Sequence, residues 1–270
     1  MPIILNTMED VKERIPSVFA TAPSEHLSSR YVFTPTNEIV MAMDKAGWKP
    51  RKITSVKPSK ASSMHVKHSI RFAPESYAGL PVIKGNLIPE IQIVNSHNGS
   101  SPLRVELGMF RFVCSNGLAV ADSSLGQYKW RHTKVDFQEI KRMVIMAIDE
   151  FSEVSKRVEQ YSQILLSTED KMNFAQKTIE MVWNDGVFSP EFLLTSRRVE
   201  DEKSDLFTTY NKIQEHLTKG GVQYDRGLNI NEKGSHRFAT TRAIKSIDKD
   251  LQINLMLWGM MDNFAKNGKF

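Results

Sequence analysis

Apolar residues recur at two spacings along this chain, and the change from one to the other divides it. Between residues 68 and 119 they alternate. "HSIRFAP" alternates, "LIPEIQIVNS" alternates through Ile91 and Ile93, and "LRVELGMFRFVC" alternates through Leu103, Val105, Leu107 and Met109. Period two is the pattern of strands with one buried face. "HNGSSP" supplies turn residues between the last two. The apolar phase then moves to Phe110, Phe112 and Cys114, and this switch beside Gly108 predicts a β-bulge. Asn116-Gly117 predicts a tight hairpin, with "LAVA" as the return strand.

Helical spacing appears on both sides of this region. In "TPTNEIVMAMDKAGW", Thr36 is placed to cap a short helix, Ile39, Val40, Met43 and Ala46 give it an apolar face, and Gly47 ends it. "SVKPSKASS" reads as a polar, basic loop. Asp136 and Glu139 have capping-box spacing. From there Ile140, Val144, Ala147, Phe151, Val154, Val158, Tyr161 and Leu165 follow at steps of four and three, predicting a continuous helix from Phe137 to Leu166. Such a seam packs along its own sheet or meets a neighbouring subunit. A second helix follows Thr168. "TSRRVEDEKS" reads as a solvated, charged connection. Leu206, Tyr210, Ile213 and Leu217 mark a further helix closed by Lys219 and Gly220-Gly221. "VQYDRGLNINEKGSHRFATTRAIKS" is a loop or a small hairpin, and a last helix turns Leu251, Leu255 and Trp258 inward. The order predicts an α+β fold: an N-terminal antiparallel β-meander, then a long helix and a mainly helical C-terminal half. The expected division is an arm over 1–30, an α+β core over 31–166 and a helical region over 167–270.

The chain is long enough to bury a substantial core. No apolar run approaches the roughly 18 residues of a membrane span, and the N-terminus lacks the basic and small-residue features of a signal peptide. One cysteine allows no internal disulfide, which fits a reducing cytosol. Cys114 falls on the face of Phe110 and Phe112 before a turn, and "CSNG" holds no base beside it. A nucleophile needs such a base, so Cys114 reads as a small apolar residue. His97 or His132 could reach it only through the fold.

No phosphate-binding loop, dinucleotide fingerprint, zinc-protease motif or nucleophile elbow is present. His65 and His68 stand at i, i+3, but no cysteine or carboxylate beside them in sequence completes a metal set. The expectation is a non-enzymatic protein without metal or cofactor.

Charge is the more informative signal. Residues 1–135 hold 17 Lys/Arg against 10 Asp/Glu, a net of +7, whereas residues 136–270 hold 19 against 21, a net of −2. The stretch from Lys45 to Pro74 contains Lys45, Lys49, Arg51, Lys52, Lys57, Lys60, Lys67 and Arg71 and no acid. Such asymmetry points to a polyanion. "YKWRHTK" places Tyr128 and Trp130 among Lys129, Arg131 and Lys134. Aromatic faces stack on bases while cations hold phosphates, the combination used on single strands. The same alternation also fits an edge strand with Trp130 buried. "SHRFATTRAIK" repeats the chemistry with Arg237, Arg242 and Lys245 around Phe238.

"RRVEDEKSDLFTTYNKIQEHLTKGG" and "TTRAIKSIDKDLQINLMLW", with "FRFVCSNGLAV" and "TPTNEIVMAMDKAGW" before them, resemble the phage- and plasmid-encoded family of unknown function numbered 932. The likeness runs from about residue 30 to 265. It implies a phage or mobile-element protein and carries no activity with it. The strands followed by a long helix are also similar, at the level of topology, to phage single-strand annealing proteins. Together these readings predict a cytoplasmic, homo-oligomeric protein that binds nucleic acid, single-stranded DNA first, in replication or recombination. The alternative is a factor that binds a host or phage protein.

Cys114→Ala is expected to fold, cost at most a few kcal/mol and leave function intact. A folded variant devoid of all function would restore Cys114 as a reactive group.

Overall fold

A computed structural model of the chain describes residues 6–56, 64–75, 87–111, 116–119, 127–132, 142, 153–228 and 236–270. It divides into two compact units, Met1–Ser155 and Lys156–Phe270.

The first unit is built on a six-stranded antiparallel sheet. Its strands are β1 (Trp48–Ser55), β2 (His68–Pro74), β3 (Leu87–Asn95), β4 (Leu103–Arg111), β5 (Asn116–Ala119) and β6 (Gln127–Trp130). They lie in the order β1-β2-β3-β4-β5, and β6 also pairs with β4. Register aligns Ile53, Ile70, Ile93 and Val105 across four strands, with Phe72 and Ile91 in the next row. All six are buried. Each such side chain contributes about 1.5–3 kcal/mol when removed from water.

Two helices precede the sheet. Helix α1 (Met8–Arg14) starts at a capping box in which Thr7 and Asp10 bond reciprocally. A 3-10 turn over Pro16–Phe19 follows, and Val11, Ile15 and Val18 are buried. Residues 8–19 thus belong to the core of this unit. Helix α2 (Thr36–Lys45) contacts β1 and buries Ile39, Val40 and Met43. Thr36 does not cap it. Pro35 holds the cap position, and the Thr36 hydroxyl turns to histidine rings instead. Ala46 is the exposed C-cap.

Two details of the meander differ from the sequence pattern. The β3–β4 register runs unbroken from Leu87↔Arg111 to Val94↔Arg104, so Gly108 makes no bulge there. β2 is buried along its whole length, on both faces. A sheet covered on both sides lets apolar residues change face without a slip in the ladder. The irregularity lies in β1 instead, between Pro50 and Lys52. Pro50 cannot donate to the ladder, and a bulge accommodates it. Asn116 and Gly117 are paired residues of β5, opposite Arg111 and Phe110. Asn116-Gly117 is therefore not the turn between these strands, and Cys114 lies outside the described residues.

Among the described residues, helix α3 covers 153–161, and Arg142 before it is also helical. The earlier seam positions 140, 144, 147 and 151 lie outside the described residues. Val154, Val158 and Tyr161 are buried, but the helix ends at 161 and Leu165 is 78% exposed. Leu165 instead bridges to Asp205, and Leu166 is buried.

The second unit surrounds one helix. Its elements are α4 (Thr168–Val182), β7 (Val187–Phe188), α5 (Pro190–Leu194), α6 (Leu206–Lys219), β8 (Gln223–Leu228), β9 (His236–Thr240) and α7 (Ile247–Asn267). Ser167 caps α4 through a capping box with Asp170. Every residue of α6 from Leu206 to Leu217 is buried, polar ones included. Tyr210 and Gln214 donate to the Asn254 side-chain oxygen on α7. Arg198 bridges Glu215 at 2.8 Å and Asp201 at 3.9 Å. The "TSRRVEDEKS" connection is thus anchored through Arg198 and through Asp201, only 1% exposed, while Arg197, Glu200, Glu202 and Lys203 are exposed as a charged connection predicts. Burial raises the Glu215 pKa, but hydrogen bonding and charge from Lys219, with Arg198 and Arg197, outweigh it and hold the carboxyl below its usual range. On α7, Leu251 and Trp258 point inward as predicted. Leu257 is buried beside them, and Leu255 is only half-buried.

β8 and β9 pair antiparallel, and the small sheet runs β7-β8-β9. Trp183, Phe188 and Tyr224 stack in sequence, with ring centroids 4.2 and 4.6 Å apart. Gly220 ends α6 at φ +70° and ψ −156°, a conformation open only to glycine. An added Cβ there would lie 2.6–2.7 Å from backbone atoms of Thr241, Arg242 and Ala243. Gly227 also has a positive φ, but nothing lies within 4 Å of its Cβ position. Gly227→Ala is expected to cost the strain alone, about 1–3 kcal/mol. Gly220→Ala should cost clearly more in the same urea titration, because it adds a backbone collision. Equal losses would contradict this close approach of α6 to the β9 exit.

Candidate nucleic-acid interface

The register of the large sheet places most of its charges in shared rows. Lys52 lies opposite Arg71, Arg71 opposite Gln92, and Gln92 opposite Glu106. The adjacent row runs from Thr54 through Ser69, Val94 and Arg104 to Lys129. In the middle of the sheet these groups are enclosed. Arg51 Nη2 donates to Glu90 Oε1 at 2.7 Å, Arg71 Nε is 3.7 Å from the same oxygen, and these three side chains are at most 8% exposed. Arg104 lies 3.7 Å from the buried Glu106, and Gln92 donates to Ser69 at 2.9 Å. Buried charges persist where they are paired and hydrogen-bonded.

The predicted phosphate contacts therefore separate into groups. Arg51 and Arg71 serve Glu90 in the interior. Lys49 is half-buried and bridges Asp44 at 2.7 Å and Glu75 at 3.7 Å. Lys67 is half-buried, while Lys45 and Lys52 are exposed. Lys57, Lys60 and Lys134 lie outside the described residues. The run from 45 to 74 is free of acids in sequence, but folding brings Asp44, Glu75 and Glu90 onto it. On β6, Lys129 is exposed while Trp130, opposite Leu103, is 9% exposed. Arg131 follows, exposed. The backbone of Tyr128 pairs with Val105. Of the two readings of "YKWRHTK", the edge strand with an inward Trp130 describes this geometry.

The second unit offers the reverse arrangement. β9 is an edge strand, and Phe238 on it is 73% exposed. Arg237, Arg242 and Lys245, near it in sequence, are exposed, as is Arg226 on β8. His236 bonds Asp225 across the hairpin, and its ring lies 6.4 Å from that of Phe238. An aromatic face in water and exposed cations on the same segment are the two components of single-strand recognition. The sequence pointed at Phe238 less strongly than at Trp130, because alternation alone cannot say which face of a strand is covered.

A third constellation joins histidines that the sequence offered only separately. His68, His97 and His132 are buried in the first unit. Thr36 Oγ1 stands 3.0 Å from His68 Nε2 and 3.3 Å from His97 Nε2, and it accepts from Asn95 Nδ2 at 2.8 Å. His68 Nδ1 meets the Val66 carbonyl at 3.0 Å and Ser17 Oγ at 2.9 Å. These contacts assign the protons. Val66 offers only an acceptor, so His68 carries its hydrogen on Nδ1 and leaves Nε2 to accept from Thr36. His97 must then donate from Nε2 to the same hydroxyl. His132 points Nε2 at the Ser101 carbonyl at 3.2 Å and stacks on Tyr31 at 4.6 Å. Ser17 beside His68 has the spacing of a nucleophile and base. Both are fully buried, however, and the far nitrogen of His68 meets a hydroxyl instead of a carboxylate. The cluster is a scaffold. Among the described residues, no three His, Cys, Asp or Glu side chains are arranged to hold a metal. Nor is any described helix long and apolar enough to cross a membrane.

The family model of a domain of unknown function, DUF932, matches residues 23–258. Two relatives from Escherichia coli (strain K12), UPF0380 protein YfjQ and UPF0380 protein YafZ, are each 30% identical over 95% of this chain and 90% of their own length. No solved structure matches.

Burial lowers the pKa of His68 to about 4. It lowers His97 to about 3, aided by the neighbouring histidines, and lowers His132 as well. Protonating His68 at Nε2 would also remove the acceptor that Thr36 uses. Because the folded values lie below the unfolded 6.5, the unfolded state binds more protons in acid. Stability is then full above pH about 6.5 and falls as pH drops towards 4, by on the order of 3 kcal/mol from His68 alone. Urea midpoints at pH 7.5 and 5 test this, and equal midpoints would show that the rings are not held neutral.

Proposed function

The chain belongs to the DUF932 family of proteins of unknown function, and from that premise we propose that it binds nucleic acid, single-stranded DNA first, without catalysing a reaction. The observation that carries this reading is Phe238, 73% exposed on an edge strand, with Arg237 and Arg242 exposed in the same stretch of sequence. A ring left in water gains from stacking on a base, worth about 1–3 kcal/mol per base. Lys45, Lys52, Lys129 and Arg131 are the exposed cations of the first unit that this reading uses. The net charge of +7 over residues 1–135 gives long-range attraction to a polyanion. A role in the replication or recombination of a mobile element belongs to the same proposal, as does self-association through the heptad seam.

Fluorescence anisotropy with a labelled oligonucleotide at several salt concentrations tests the proposal. Affinity should fall with salt, with a log–log slope of magnitude about 0.7 per phosphate contacted. Phe238→Ala should lose about 1–3 kcal/mol and leave the slope unchanged. Arg237→Glu with Arg242→Glu should weaken binding and flatten the slope, as should Lys52→Glu with Lys129→Glu. Trp130→Ala should act on stability rather than affinity, because the ring is buried. No binding at low salt by folded protein would overturn the proposal and favour a protein-interaction role.

A further inference from the structure

The face of the small sheet that carries Phe238 also carries an acid. Register places Val187 opposite Asp225 and Asp225 opposite Phe238. Residues directly opposite in an antiparallel ladder share a face, so these form one row across β7, β8 and β9. Val187 and Phe238 at its ends are each 73% exposed, and the Asp225 side chain between them is 18% exposed. His236 precedes Phe238 by two positions on β9 and so lies on the same face. Its ring is 6.4 Å from the Phe238 ring and tilted from it by 29°.

Two bonds fix the carboxylate. Gly227 N–H donates to Asp225 Oδ1 at 2.8 Å, and His236 Nδ1 donates to Oδ2. The Gly227 bond, aided by the His236 ring and opposed by desolvation, holds the carboxyl below its usual range, so it is ionised at neutral pH. An ionised carboxylate offers about four acceptor positions on its two oxygens, and each oxygen here has used one. The turn bond explains an acid at 225. It does not explain why an apolar side chain stands in water on either side of it. An anion in this row repels phosphate, so the row cannot follow a nucleic-acid backbone. It can accept hydrogen bonds from a base.

Resting on the reading of Phe238 as a stacking surface, we propose that this row selects guanine in single strands, with Asp225 as the specificity-determining residue. Guanine alone among the four DNA bases presents two adjacent donors on its pairing edge, N1–H and the N2 amino group. They match two carboxylate oxygens side by side. Adenine and cytosine present one amino group beside a bare ring nitrogen, and thymine one N–H between two carbonyl oxygens. Each of these sets a lone pair against the carboxylate. Single strands leave such edges open for recognition while the base face stacks on an aromatic ring.

Anisotropy at one low salt concentration, with the full chain and short labelled oligothymidylates carrying a single central dG, dA, dC or deoxyinosine, tests this. The dG strand should bind about tenfold or more tightly than the others. Deoxyinosine keeps N1–H but lacks the amino group, and it should lose most of that preference. Asp225→Asn retains an acceptor for Gly227 and should bind all the strands alike. Equal binding of every strand by the wild type would overturn the inference and leave the nucleic-acid reading standing. A dG preference that survives in Asp225→Asn, or that deoxyinosine reproduces in full, would also overturn it. Displacement of the dG strand by an equal concentration of free dGMP would do so too, by making the occupant a nucleotide rather than a strand. No binding of any strand by folded protein would remove both readings together.

Discussion

One hydroxyl joins four parts of the first unit. Thr36 begins α2, His68 begins β2, Asn95 ends β3, and His97 starts the turn that follows. Ser17 attaches the 3-10 turn to the same ring system. A hydroxyl has one hydrogen and two lone pairs, and here all three are used. Each partner therefore has one permitted protonation state, and the network specifies a single arrangement of helix against sheet. A purely apolar contact would tolerate sliding, whereas this one does not.

The same rule operates at larger scale around the buried charges. Arg51, Arg71 and Glu90 share the sheet interior, and Arg198, Asp201, Glu215 and Lys219 share the flank of α6. Enclosed ions are costly unless paired, so these clusters constrain position more than they add stability. They also decide which cations face solvent. Among the described residues of 45–74, Arg51 and Arg71 are consumed internally, while Lys45 and Lys52 are exposed at the surface.

Local pattern made much of the fold legible. β2, β3 and β4 follow from alternation, and α2, α6 and α7 from helical spacing with their terminal residues. β1 was hidden because Pro50 and its bulge break the alternation of "WKPRKITS". The end of α3 was misjudged because Leu165 keeps the heptad spacing while its backbone has already turned to Asp205. Site residues were harder to read. Whether Arg51 meets a phosphate or Glu90 depends on a residue 39 positions away. Ser17, Thr36, Asn95 and His68 are likewise assembled only by the sheet, so no spacing in the sequence announces them. Phe238 and Trp130 have the same chemistry in sequence, and only burial separates them.

The sheet order has a consequence for how the chain matures. From β1 to β5 every strand pairs with the next in sequence, across connections of at most 12 residues. Short closures cost little entropy, and a topology of near neighbours lowers the barrier to folding. During synthesis the amino-terminal segments emerge first and begin to pair before later ones exist. β1 through β5 can zip together in the order they leave the ribosome. β6 then closes against β4, so the meander is assembled before α6 and its buried polar residues are made.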